Sequence, residues 1–210
     1  MSRIMLRIAG MAVLLGCAAV ALAQTEFSAD IVNDKEADKA TKVYFGKDKI
    51  RFDAISHSAD GGGVILNMTT HTMTVIMPKQ HMYMEMSPQQ MENRGMFDFF
   101  RTGDVESACT EWLNLDENKG GTCHKDSHET VNGRETVKYE GVNAKGEHSA
   151  VWLDSKLRFP VKWQGKNGGG GLRNIQEGSQ PASLFETPAG YTKFDMGNIR
   201  DEADPVRFRH

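Results

Sequence analysis

Apolar residues recur at every second position in short runs, each bounded by turn-forming residues. That period marks β-strands with one buried face, because successive side chains of an extended chain point to opposite sides. Phe27, Ala29 and Ile31 form the first run, Val43 and Phe45 the second, and Ile50, Phe52 and Ala54, interleaved with Arg51 and Asp53, the third. Gly46-Lys47-Asp48-Lys49 joins the second run to the third as a short hairpin connection. Asp60-Gly61-Gly62-Gly63 leads into Val64-Ile65-Leu66-Asn67-Met68, and Met73, Val75 and Met77 follow. After the turn Pro78-Lys79-Gln80, Met82, Met84 and Met86 take one face of a strand and His81, Tyr83 and Glu85 the other. The pattern is that of an antiparallel meander.

The period then changes. Ser87 is a candidate N-cap, Pro88 suits the first helical position and Gln90 completes a capping box, so a helix is expected there with Met91, Phe97 and Phe100 on its apolar side. Asp104 is placed to cap a second short helix carrying Cys109, Trp112 and Leu113, ended by Gly120-Gly121. Strands resume near Thr122, and Asn132-Gly133 is the strongest hairpin signal in the chain. Ala150 to Leu153 places apolar groups on both faces of a strand, which implies a covered sheet. Val161 and Trp163 make the next strand, Gly165 to Gly171 reads as a turn, Leu172-Arg173-Asn174-Ile175 follows, and Ser183-Leu184-Phe185 falls in a short helical or irregular segment. Tyr191 and Phe194 form a last extended piece.

Arg3 and Arg7 precede an apolar run from Ile8 to Ala23 that ends Ala21-Leu22-Ala23, the layout of a secretory signal peptide cleaved before Gln24. Leu14-Leu15-Gly16-Cys17 also reads as a lipobox, which would acylate Cys17 and anchor the chain by lipid. The expected location is therefore periplasmic or secreted. With Cys17 removed, Cys109 and Cys123 are an even pair in an oxidising compartment, and a disulfide is the default; a zinc site with His124 and His128 is the alternative. Adjacent Cys123 and His124 point to opposite sides of a strand, which disfavours the metal.

The 25 Lys and Arg nearly balance the 28 Asp and Glu, so no bulk positive field exists to attract nucleic acid. The chain shows no nucleophile elbow, no zinc-protease helix motif and no Cys-His catalytic pairing, and Gly168 to Gly171 lacks the Lys-Ser/Thr of a phosphate loop. A non-enzymatic protein without a cofactor is expected. Thioethers beside an imidazole in His81-Met82-Tyr83-Met84-Glu85-Met86 suit Cu(I), yet His81 lies opposite the methionines, which read better as a flexible apolar surface.

Lys49-Ile50-Arg51-Phe52-Asp53, His81 to Met86, Glu129-Thr130-Val131-Asn132-Gly133-Arg134, Leu172 to Ile175, Ser183-Leu184-Phe185-Glu186 and Pro188-Ala189-Gly190-Tyr191 together resemble exported bacterial proteins of unassigned function related to the outer-membrane lipoprotein carriers, the LolA/LolB-like superfamily. The resemblance covers most of the mature chain. It implies a mainly β (α+β) fold, a single strongly curved antiparallel sheet or half-open barrel with helices covering the concave face. The expected organisation is a signal peptide at 1–23, a LolA/LolB-like β domain at 24–194 and a charged flexible tail at 195–210. The expected function is a periplasmic binding module whose concave apolar face takes a lipid, an acylated envelope protein or another hydrophobic ligand. Its candidate binding residues are Met73, Val75, Met77, Met82, Met84, Met86, Phe97 and Phe100. The competing readings are an envelope interaction or sensor domain without a ligand cavity, and a Met/His copper carrier. Neither nucleic acid binding nor integral membrane insertion is expected.

Overall fold

The computed structural model describes residues 25–53, 62–90 and 105–195. Twelve strands form one sheet in the order β12-β6-β5-β4-β3-β2-β1-β11-β10-β9-β8-β7. They are β1 (Phe27–Asn33), β2 (Glu36–Phe45), β3 (Lys49–Asp53), β4 (Gly63–Asn67), β5 (Thr72–Met77), β6 (Met82–Met86), β7 (Thr122–Val131), β8 (Arg134–Val142), β9 (His148–Asp154), β10 (Phe159–Gly165), β11 (Gly168–Glu177) and β12 (Thr192–Lys193). All neighbours are antiparallel except β12 and β6, whose two-residue pairing is parallel. The sheet does not close, and β12 and β7 are its edges.

The sheet consists of two meanders. β2 to β6 run outward from β1 by successive hairpins, and β7 to β11 run back from the far edge until β11 pairs with β1. Asn132 and Gly133 both adopt positive φ, 51° and 78°, the conformation that a tight two-residue hairpin between β7 and β8 requires.

Aromatic packing shows how strongly the sheet curls. Phe45 on β2 and Phe159 on β10 are three strand spacings apart, about 14 Å across a flat sheet. Their ring centroids lie 4.3 Å apart, and Phe27 stacks on Phe45 at 4.3 Å. The three rings are all but inaccessible and, with Val43, Leu66, Val161 and Leu172, fill the main core.

On the first half of the sheet the side away from this core is also covered. Arg51 pairs with Ile65 there, and its guanidinium donates to the carbonyl of Leu184 at 2.9 Å, which places the 3-10 segment Ala182–Phe185 over that side. Ile65 and Ile76 are buried in consequence. The second half shows the expected two-sided burial, since consecutive Trp152, Leu153 and Asp154 are all inaccessible.

One α-helix, α1 (Ala108–Asn114), lies among the described residues. It follows Ser107, whose side chain bonds Glu111 at 2.9 Å without capping the helix; the expected cap, Asp104, lies outside the described residues. Pro88–Gln90 is a 3-10 turn. Phe97, Phe100, the signal peptide with Cys17, and the tail beyond Asp195 also lie outside the described residues.

The expectation that Gly165 to Gly171 is a turn needs correction. The hairpin is confined to Gly165–Gly168, and Gly169 to Gly171 are strand. Trp163 explains the difference: a Cβ on Gly170 would sit 2.8 Å from its indole, so the ring lies across a strand that has no side chain there.

Candidate functional site

Directly paired residues share a face of a sheet, as do residues two apart along a strand. Met73 pairs with Met86, Val75 with Met84 and Met77 with Met82. The six described candidate residues therefore occupy one face of two neighbouring strands, and all are half-buried. Met73 and Val75 pack against the main core. His81 precedes the strand in a left-handed turn, φ 49°, with its ring 5.6 Å from that of Tyr191, and so stands apart from the methionine row.

The methionine face runs unbroken to the opposite half of the sheet. Val75 pairs with Val64, Val64 with Phe52, Phe52 with Val43 and Val43 with Ala29. Ile31, two residues on, pairs with Leu172, and from Gly170 the row passes to Trp163, Val151 and Tyr139. Every step keeps the same side. The methionines and the strand surface under α1 are thus joined by one row of paired residues.

At the second end α1 lies over the strands. The Cys109–Cys123 disulfide joins α1 to β7, with the two Cα atoms 5.4 Å apart. Both thiols are therefore in the disulfide, not in a zinc site. Closing this 14-residue separation contributes about 3 kcal/mol on the chain-entropy model. The Trp112 indole lies against Gly141 so closely that a Cβ there would be 2.9 Å from the ring, and the buried Tyr139 hydroxyl donates to the carbonyl of Val105 at 2.8 Å. Buried Asn118 donates to the Trp112 carbonyl at 3.0 Å, tying down the C-terminal end of the helix.

Between α1 and the strands lies a cleft of about 770 Å³, with Trp112, Leu115, Val151, Leu153, Pro160 and Trp163 among its walls. Sequence reading did not single out this cleft. Trp112 and Trp163 are 51 residues apart in the chain, and only the register from β8 to β11 together with the seat of α1 on β7 and β8 brings them to one cleft. The one legible hint was the pair of glycines, Gly141 and Gly170, that lie against the two indoles.

On β7 and β8, ligand atoms of His124, Asp126 and Glu140 lie within 4.8 Å of one another. The Lys138 ammonium already pairs with both carboxylates, at 3.0 and 2.6 Å, which raises its own pKa and lowers that of Asp126. The group is a surface ion cluster in which one ammonium is shared by two carboxylates.

A second network anchors the β9–β10 hairpin. Buried Asp154 accepts the backbone N–H groups of Lys156 and Leu157, each at 2.8 Å, and pairs with the Arg134 guanidinium. Arg134 also reaches Glu177 at 2.8 Å. The Lys156 hydrogen bond first, then that of Arg134, holds the Glu177 carboxyl below its ordinary pKa.

No helix among the described residues is long and apolar enough to cross a membrane. No family model and no curated protein matches the chain. Among solved structures it is similar to an uncharacterized conserved protein from Thermus thermophilus, at 8% identity and a TM-score of 0.52, over 82% of this chain and 91% of that one. It is also similar to the MucA/MucB complex of Pseudomonas aeruginosa, at 10% identity and a TM-score of 0.39, over 80% of this chain and 57% of that one. A LolA superfamily protein from Nitrosomonas europaea is matched at 10% identity and a TM-score of 0.30, over 78% of this chain and 90% of that one. What the Thermus likeness shows is a shared fold.

Proposed function

We propose that this protein is a non-enzymatic binding module of the bacterial envelope that shelters an apolar ligand, a lipid or an acylated protein segment, on the inner face of its sheet. The observation that carries this reading is the cleft beneath α1. Its volume of about 770 Å³ falls in the ~300–1,000 Å³ range of small-molecule sites, and its walls set the apolar and aromatic side chains of Trp112, Leu115, Val151, Leu153, Pro160 and Trp163 beside charged and polar groups. The row of half-buried methionines on the same face extends the reading, because unbranched thioethers repack around chains of different shape. On this proposal Met73, Val75, Met77, Met82, Met84 and Met86, with Phe97 and Phe100, form one part of the ligand surface and the cleft another.

The test is native mass spectrometry of protein purified from its own periplasm, combined with titration of a fluorescent fatty acyl probe. Bound lipid and saturable uptake are expected. Trp163→Ala should weaken uptake if the cleft holds the chain, and Met84→Asp if the methionine face does, provided that circular dichroism and the melting temperature show each variant to be folded. A folded wild-type protein that carries no lipid and takes up no probe would overturn the proposal and leave an interaction domain without a ligand cavity.

A further inference from the structure

We infer that the cleft beneath α1 selects an amphiphile with a positive charge, an alkylammonium rather than an alkyl carboxylate; the inference rests on the proposed binding function and specifies its ligand. Four carboxylates are among the lining residues, Glu111, Glu117, Glu140 and Glu147, against one cation, Lys166. Lys166 is already paired with Glu147 at 2.5 Å. Glu140 is already committed to the Lys138 ammonium, which it shares with Asp126. Glu111 and Glu117 remain. Glu111 accepts only the Ser107 hydroxyl among the described residues, and Glu117 is exposed without an ion-pair partner among them; neighbouring Lys119 is held by Asp116.

The helical wall therefore presents two carboxylates with no uncommitted cation opposite among the described residues, with the Trp112 indole on the same wall and the Trp163 indole on the strands below. An anionic headgroup against the helical wall would lose hydration and meet the like charge of Glu111 and Glu117, while the Lys166 ammonium is already held by Glu147. An ammonium headgroup would meet opposite charge, and the indole faces of Trp112 and Trp163 would attract it further, since the face of an aromatic ring is its negative side. Charge and aromatic surface favour the same ligand, and the apolar walls accept its chain.

Isothermal titration of the full secreted protein with decyltrimethylammonium and with decanoate, both below their micelle concentrations, tests this. The chains match and only the head charge differs. Decyltrimethylammonium should bind about tenfold tighter at low ionic strength, with the ratio falling as salt is added. The double variant Glu111→Gln/Glu117→Gln should abolish the preference without weakening decanoate, and Trp163→Ala should weaken both ligands. Equal or tighter binding of decanoate would overturn the charge selection while leaving the binding module in place. A preference that survives the double variant would overturn the assignment to these two carboxylates. If neither amphiphile binds, the binding function itself fails.

Discussion

The two ends of the row that runs from the methionines to α1 solve the same problem differently. On β5 and β6 three side-chain pairs, five methionines and one valine, lie in register as a half-buried apolar row formed by one hairpin. On β8 to β11 the face is covered by α1, held by a disulfide and by Trp112 lying against Gly141, and the gap beneath is a walled cleft. The first surface depends on local alternation and flexible side chains. The second depends on a long-range tether that props a short helix over the strands. A seven-residue helix is too short to persist on its own propensity, so its position is a property of what holds it.

That contrast can be broken by removing what the second half alone requires. Asp154→Ala should have the largest effect, about 3–5 kcal/mol of lost stability, because it strips two backbone donors of their acceptor and leaves the Arg134 guanidinium with Glu177 alone. Urea denaturation measures the loss, and hydrogen exchange should show protection falling first in β8 to β11. Equal loss in β4 to β6 would show that the halves are not separable.

Cys109→Ser/Cys123→Ser should cost about 3 kcal/mol in the same assay. In addition it should loosen α1, seen as a change in tryptophan emission, while exchange in β5 and β6 stays as in the wild type. Non-reducing peptide mapping of the wild-type protein should recover both cysteines in one linked fragment.

The smallest effect concerns pH. Glu177 has its pKa lowered in the folded state, so its contribution to stability is present above the ordinary carboxylate value and is lost as pH falls through the lower folded value. The melting temperature of the wild type should therefore decline on acidification more steeply than that of Glu177→Gln. Identical acid slopes would remove Glu177 from the network that closes the second half.

The sequence by itself determined the strands, their alternation and the chemistry of the methionine row. A period of two is a local property, and the hairpins at Gly46–Lys49, Pro78–Gln80 and Asn132-Gly133 join strands that are neighbours in the chain. The disulfide was legible too, because reading Cys17 as part of a signal peptide leaves Cys109 and Cys123 as the one pair. Where the reading of Gly169 to Gly171 failed, local chemistry pointed to a turn, and a tryptophan on the next strand made the same glycines a strand onto which its ring could lie. The tertiary structure alone decided that β11 pairs with β1, joining the two meanders into one sheet, and that the sheet curls until Phe45 and Phe159 touch. It alone decided that Trp112, Trp163 and the carboxylates of the helical wall share a cleft. Which residues meet across a curved sheet depends on register summed over many strands and on where a covalent tether sets down a helix, and neither quantity is encoded in any short stretch of the chain.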